Sequence, residues 1–393
     1  MTSPLIVLDT LPSPNEFYGL YWNRRPFVVR SGVSKSHMSA LISGDELAGL
    51  AMEEDPMSRM VISKSNAATW TTQFGPFSED DFASIGDENW SLLVQNVEQF
   101  HPETAELLRH FNFAPRWLLD DIMVSLSTKG GTVGAHIDSY HVFLVQGSGR
   151  RRWKVSHEPI RNEVFIEGID LKVLAHEFDG DTIEVACGDV LYIPPNFAHE
   201  GTTLEQALTF SIGFLGPKFS ELLGGYSQYL AAFEDLDPRY VGDELNDNSA
   251  GFVIDHTAVD YIRGRLVERL DSSDFTQWLV SYFTESPHEE FGNYTEREDC
   301  LSLIQFIEIL EKGANLIKPE YVKFALTTDA TGAFSLGFDG QSFTFSDGFF
   351  GVIQKLMKGE TVSFLIHKQL FTVPETTRFL LELYNHQALE FVD

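Results

Sequence analysis

Hydrophobic positions along the chain fall into three successive textures. In the first, short helices alternate with short strands. Residues 12 to 24, PSPNEFYGLYWNR, predict a short helix with Ser13 as N-cap and Pro14 in the first turn. RPFVVR (25–30) reads as a first strand, and SGDELAGLAMEED (43–55) as a second helix capped by Ser43. Between Arg59 and Trp90, β-like runs alternate with turn signals such as FGPFSEDDF. HPETAELLRHF (101–111) is then helical, with acidic residues at the end the helix dipole favours.

From Trp117 the pattern becomes strands punctuated by glycine. DIMVSLSTKGG, HIDSYHVFLVQGSG, RRRWKVS, TIEVACGDVLYIPP and ALTFSIGFLGP are each strand-like and bounded by Gly, Pro or Asp. Short strands in close succession, without long helices between them, predict an all-β barrel or double-sheet jelly roll. After Pro217 the period turns helical, in 219–233, 255–270 and 274–285, with a polar interval at 234–251. Val259, Ile262, Leu266 and Leu270 share one stripe, which predicts a subunit interface over packing within the chain. The last hundred residues mix a helix at 299–313, a hairpin in FSLGFDGQSFTF, strand-like YVKFALTTD, VSFLIHKQ and FTV, and a helix in TRFLLELYNHQ. That mixture resembles a winged-helix module.

Length and composition narrow the picture. At 393 residues two or three domains are expected, and 43% apolar with 13% aromatic residues is enough to fold them. No apolar run reaches membrane-span length, and the start lacks the pattern of a signal peptide. Cys187 and Cys300 are the only cysteines; that excludes a disulfide framework and a thiolate zinc site and suits a reducing cytoplasm. A net charge of −30 argues against general binding to phosphate backbones and suits either solubility or a basic partner. From residue 297 onward, 8 Lys and Arg face 13 Asp and Glu, so direct nucleic-acid binding by that region is disfavoured.

The chemistry concentrates in GGTVGAHIDSYHVFLVQGSGRRRW (130–153). On a strand, His136 and Asp138 would project from one face. His199, within GDVLYIPPNFAHEG, supplies a third ligand, and two imidazoles with one carboxylate match the open facial site of non-haem iron oxygenases. His141 has the opposite strand parity, and His157 and His176 lie in loop-like sequence, so these read as structural or solvated. Parity places Arg151 with Trp153 and Val155 on the apolar side, where a guanidinium requires an anion such as a dicarboxylate. In IMVSLS, Ile122, Val124 and Leu126 share one face and Met123, Ser125 and Ser127 the other, so the hydroxyls could complete that anion site or bond to backbone. GGTVGA lacks the ending of a phosphate loop and leads into a strand, which excludes nucleotide binding there. No nucleophile elbow or cysteine–histidine pair is present.

WNRRPFVVR, DELAGLAM, NWSLLVQ, HIDSYHVFLVQGSGRRRW and GDVLYIPPNFAHEG together resemble the bacterial Jumonji-C ribosomal oxygenases, densely over residues 15 to 215. The resemblance implies an α+β chain with a mostly β core. A double-stranded β-helix (cupin, jelly-roll) catalytic domain would span 1–216, a helical dimerisation domain 217–295 and a winged-helix-like domain 296–393. It implies Fe(II) held by His136, Asp138 and His199, with 2-oxoglutarate as co-substrate. The far carboxylate of 2-oxoglutarate would meet Arg151, with Ser125 and Ser127 nearby. It further implies a cytoplasmic homodimer that hydroxylates an arginine of a basic large-subunit ribosomal protein. Two rivals stand beside this expectation: a cupin metalloenzyme that does not use 2-oxoglutarate, and a non-catalytic protein-binding module. His141 stands where relatives often have an acidic residue, and the expected consequence is an altered pocket mouth.

Overall fold

The strand-rich stretch closes into two sheets that share one apolar interior. The computed structural model describes residues 5–63, 70–245, 252–285, 296–328, 332–345, 349–367 and 374–392. Contacts divide it into two compact units, Met1–Gly216 and Pro217–Asp393. In the first unit the strands are β1 (Ile6–Leu8), β2 (Phe27–Val29), β3 (Ser58–Ser63), β4 (Trp70–Phe74), β5 (Trp90–Val94), β6 (Leu119–Ser127) and β7 (His136–Ile137). They continue with β8 (His141–Ser148), β9 (Arg150–Pro159), β10 (Gly180–Ala186), β11 (Val190–Ile193), β12 (Phe197–Thr203) and β13 (Ala207–Phe214). A nine-stranded sheet runs β1-β2-β11-β8-β13-β6-β5-β3-β4, antiparallel except for the β1–β2 pair, and a four-stranded antiparallel sheet runs β10-β9-β12-β7. This is the expected double-stranded β-helix.

Alternation explains the two faces of the large sheet. On β8, Val142 and Leu144 join Trp153, Val155, Val185 and Phe197 of the small sheet in the barrel interior. Phe143 and Val145 point the other way, into a larger core with the N-terminal helices. That outer core centres on Phe17, whose ring lies 4.9 to 5.7 Å from those of Phe113, Phe143 and Tyr192. Phe17 arrives there because Ser13 caps the helix at Pro14–Glu16 in a capping box with Glu16. The next turn, Phe17–Tyr21, is wound as a π-helix. Ser43 caps Gly44–Leu50 in the same manner, with Glu46 as its partner.

The chain passes from the large sheet to the small one at Gly149. Its φ is +62°, and a Cβ there would lie 2.1 Å from the Gln206 carbonyl oxygen, so only glycine fits. This turn sets the register of β9, with Arg151 opposite Val185 on one side and Thr203 on the other.

Some expectations need correction. HIDSYHVFLVQGSG is two strands in different sheets, because the chain leaves β7 after Ile137 and re-enters as β8 at His141. FAHEGTT, to which the sequence pattern assigns no element, is the strand β12. His157 lies on β9 and not in a loop. The helix at 101–111 tightens into a 3-10 helix from Glu106.

In the second unit, helices occupy Phe219–Ala231, His256–Leu270 and Ser273–Thr284. The last of these lies against the strand Phe334–Phe338, where a Cβ on Gly337 would meet the Val280 carbonyl oxygen at 2.1 Å. Phe306, Leu316, Leu336, Ile353 and Leu380 form its core. The helix Phe350–Met357 has no counterpart among the predicted elements. The strand-like FTV (371–373) lies outside the described residues. No helix among the described residues is long and apolar enough to cross a membrane.

Phe143 is fully buried among Phe17, Phe27, Phe111, Phe113, Tyr192 and Phe214. Phe143→Ala should therefore lower the stability of the first unit by about 3–5 kcal/mol, read as a shift of its denaturant midpoint.

Candidate active site

His136 and His199 are cross-strand partners on β7 and β12, and this pairing brings their rings to 4.2 Å between centroids. Asp138 closes the group: its Oδ2 is 3.5 Å from His199 Nε2 and 3.9 Å from His136 Nε2. The ligand atoms of all three lie within 4.8 Å of one another, the only such cluster of three or more among the described residues. Each imidazole is fixed through its other nitrogen. His136 Nδ1 donates to the Gly134 carbonyl at 2.9 Å and His199 Nδ1 to the Phe197 carbonyl at 3.1 Å. Both Nε2 atoms are thus turned toward Asp138, the orientation that divalent metal ligation requires. Burial, and then the neighbouring His136, push the His199 imidazole down to about 4, so it is neutral at ordinary pH.

The triad lines a cavity of about 470 Å³ whose walls come from both sheets. At one end stands Arg151, 4% exposed. Its Nη1 donates to Thr209 Oγ1 at 3.2 Å and to Ser125 Oγ at 3.4 Å, and its guanidinium lies over the Trp153 ring. Its Nε has no partner, and no carboxylate pairs with it among the described residues. Burial lowers its pKa only to about 10, so a whole positive charge stands in the barrel without a counter-ion. Ser127 is turned to Ser91, its hydroxyl donating at 2.8 Å, and so stands one step removed from Arg151.

The other end is acidic. β13 pairs with β6 in regular register from Ala207 to Ile212, but then Phe214 pairs with Leu119, so Asp120 and Asp121 together face the single residue Gly213. Such a bulge re-aims side chains. In a regular strand consecutive residues point to opposite faces; here Asp120 and Asp121 both line the cavity, with Tyr140. β5 pairs with β6 only as far as Val94 opposite Val124, and side-chain carboxylates serve the backbone beyond it. Ile122 N–H donates to the buried Glu98 carboxylate at 2.8 Å, and Asn96 N–H reaches Asp121 at 3.4 Å. Burial and then Asp120 raise the Asp121 carboxyl to about 7, and burial and then Asp121 raise Glu98 to about 8.

His136, Asp138, His199, Arg151 and Ser125 are thus brought into one cavity. His141 is not: its ring stacks on Trp22 at 3.4 Å, and its Nδ1 meets the Tyr192 hydroxyl at 2.8 Å in the outer core. The expectation that it alters the pocket mouth is corrected, because its parity on β8 directs it away from the cavity. Sequence reasoning missed Thr209, Asp120, Asp121 and Tyr140. Thr209 could have been found by extending the parity argument to ALTFSIGF, but the bulge that admits both aspartates leaves no mark in the sequence.

Comparison with known proteins agrees with this geometry. Residues 106–222 match the JmjC domain family. The chain is 37% identical over 275 residues to the ribosomal protein uL16 3-hydroxylase of Escherichia coli strain K12, covering 70% of this chain and 72% of that one. It is 39% identical over 217 residues to a probable ribosomal oxygenase of Haemophilus influenzae, covering 55% of this chain and 53% of the relative. Among solved structures, the E. coli ribosomal oxygenase YcfD in complex with cobalt and 2-oxoglutarate superposes with a TM-score of 0.80 at 29% identity, covering 96% of this chain and 98% of that one. An X-ray structure of E. coli YcfD gives 0.83 at 30% identity, covering 97% and 98%.

The raised carboxyls carry a stability signature. Glu98 and Asp121 hold protons more tightly folded than unfolded, so their contribution is full below the ordinary carboxylate range and is lost as pH rises through about 7 and 8. Denaturant titrations from pH 5 to pH 9 should show stability falling across that window. Glu98→Gln should flatten the upper part of the fall; an unchanged profile would refute the assignment.

Proposed function

The chain belongs to the JmjC ribosomal oxygenase family, and from that premise we propose that it is an Fe(II)- and 2-oxoglutarate-dependent hydroxylase of an arginine in the ribosomal protein uL16. The observation that carries the reading is the polarity of one cavity: an unneutralised guanidinium at one end, the triad between, and two carboxylates at the other.

The residues fit both groups. Two imidazoles held through Nδ1, with Nε2 turned to one carboxylate, suit a divalent ion, and three protein ligands leave coordination positions open. Arg151, with an unpartnered Nε and Ser125 and Thr209 beside it, suits the far carboxylate of a five-carbon dicarboxylate. This also weighs against a cupin enzyme without 2-oxoglutarate, for which a buried, unpaired arginine would be pure cost. Bound there, iron and 2-oxoglutarate supply an oxidant that inserts one oxygen atom of O₂ into a C–H bond and leaves succinate and CO₂.

The chain's own residues do the rest. The carbonyls of Gly134 and Phe197 hold the two imidazoles in the ligating tautomer, and Trp153 with Val142 and Leu144 keeps water from the deep end. Thr209 and Gly213 lie four residues apart on β13, so the Arg151 end and the aspartate end are separated by roughly 13 Å at strand rise. A long cationic side chain suits the second half of that length. Hydroxylation at carbon 3 places the carbon next to the main chain at the triad, while the guanidinium runs on to Asp120 and Asp121. A net charge of −30 favours encounter with a basic protein.

We also infer a homodimer formed through the second unit. The helix His256–Leu270 exposes Val259, Ile262, Leu266 and Leu270 by 38 to 62%, the pattern of a helix made to be covered.

Incubating purified uL16 with the protein, Fe(II), ascorbate and 2-oxoglutarate should add one oxygen to a single arginine-bearing peptide, seen by mass spectrometry and absent with His199→Ala. Oxygen on a peptide without arginine would overturn the arginine assignment alone. Arg151→Lys, which loses the planar fork, should raise the KM for 2-oxoglutarate by roughly 10- to 100-fold. Light scattering should report twice the chain mass, with Leu266→Glu returning it to one.

A further inference from the structure

The cavity's aspartate end has a gap in its lining, and the gap is a missing side chain. Along β13, cavity-side positions alternate with core positions. The core row is large throughout: Leu208, Phe210, Ile212 and Phe214. The cavity row shrinks from Thr209, beside Arg151, through Ser211 to Gly213. A Cβ placed on Gly213 would sit 3.6 Å from Asp120 Cβ, 3.6 Å from Asp121 Oδ1 and 3.8 Å from Tyr140 Cε2. These are ordinary contact distances, and Gly213 does not have the positive φ that would itself demand glycine. Neither backbone conformation nor a clash with protein atoms therefore requires glycine here. What the absent side chain leaves is space, bounded by two carboxylates and an aromatic ring.

We propose that Gly213 is a specificity-determining position: its missing side chain is the slot through which the substrate's planar cationic head group reaches Asp120 and Asp121 alongside Tyr140. This rests on the reading of the cavity as a hydroxylase site for a basic side chain. The bulge makes the slot possible, since it sets two carboxylates against one residue, and that residue is the one with no side chain. A methyl group at Gly213 fills the gap without displacing the wall. A branched side chain there extends into the space the head group needs. The ends of the cavity are separate enough that the Arg151 end is untouched.

The test uses full-length Gly213→Ala and Gly213→Val with purified uL16 and with 2-oxoglutarate. Gly213→Ala should weaken uL16 binding and raise its KM roughly tenfold, the discrimination one methyl group gives in a closed pocket; Gly213→Val should weaken both beyond about 100-fold. Calorimetric affinity for 2-oxoglutarate and the melting temperature should stay near wild type in Gly213→Ala. If Gly213→Val binds and oxidises uL16 like the wild type, the slot is wrong and the hydroxylase reading stands. If the wild type itself neither binds nor oxidises uL16, the reading fails and takes the slot with it. Parallel loss of uL16 and 2-oxoglutarate binding in Gly213→Ala would mark the glycine as structural and overturn the proposal.

Discussion

One buried positive charge sets the terms for the barrel. Arg151 stands inside two sheets with hydroxyl partners and no carboxylate within reach among the described residues. A fold tolerates an unpaired interior guanidinium only where something outside the chain neutralises it. Much of the local architecture serves that placement. Gly149 turns the chain from the large sheet into the small one, and the register of β9 then puts Arg151 inside while Arg150 and Arg152 face out to Glu205 and Glu184. Trp153, two residues on, covers the guanidinium on one side and comes within 6.0 Å of the His199 ring on the other. The proposed anion subsite and the proposed metal subsite thus share a wall.

The opposite end depends on an irregularity. A regular β6 would send Asp120 and Asp121 to opposite faces, one to the cavity and one into an apolar core where a carboxylate could not remain. The bulge keeps both in the cavity at the cost of a disrupted ladder. Close by, past the end of the β5–β6 pairing, Glu98, a carboxyl buried to 2% exposure, accepts from the Ile122 N–H. Burial first, and then crowding by a neighbouring carboxylate, pushes Asp121 up to about 7 and Glu98 to about 8. A cation arriving at Asp121 relieves that crowding.

What could be read from the sequence followed strand parity and short-range capping. Arg151 inside, Ser125 toward the cavity, and the caps at Ser13 and Ser43 all depend on residues within a few positions of one another. The triad was legible as far as its members, yet the reason it assembles was not, since His136 and Asp138 do not share a strand. Asp138 lies beyond β7, and what brings His136 to His199 is the pairing of β7 with β12, a strand hidden behind a Pro-Pro start. The bulge at Asp120–Asp121 and the turn of Ser127 toward Ser91 depend on neighbours 36 to 95 residues away. No local pattern carries them.

His141 shows the same limit from the other side. Read by its place next to the ligand run, it would border the triad; read by parity, it belongs to the core. The structure follows parity. Its ring lies flat on Trp22, at an interplanar angle of 7°, and burial pushes it down to about 3, so it stays neutral and serves as a hydrogen-bonded aromatic plate. An acidic residue in that place would need a charge partner or a proton; a histidine needs only the Tyr192 hydroxyl. His141 therefore bears on how the N-terminal helix is fastened to the large sheet. It leaves the cavity chemistry untouched, because alternate residues on one strand belong to different compartments of the fold.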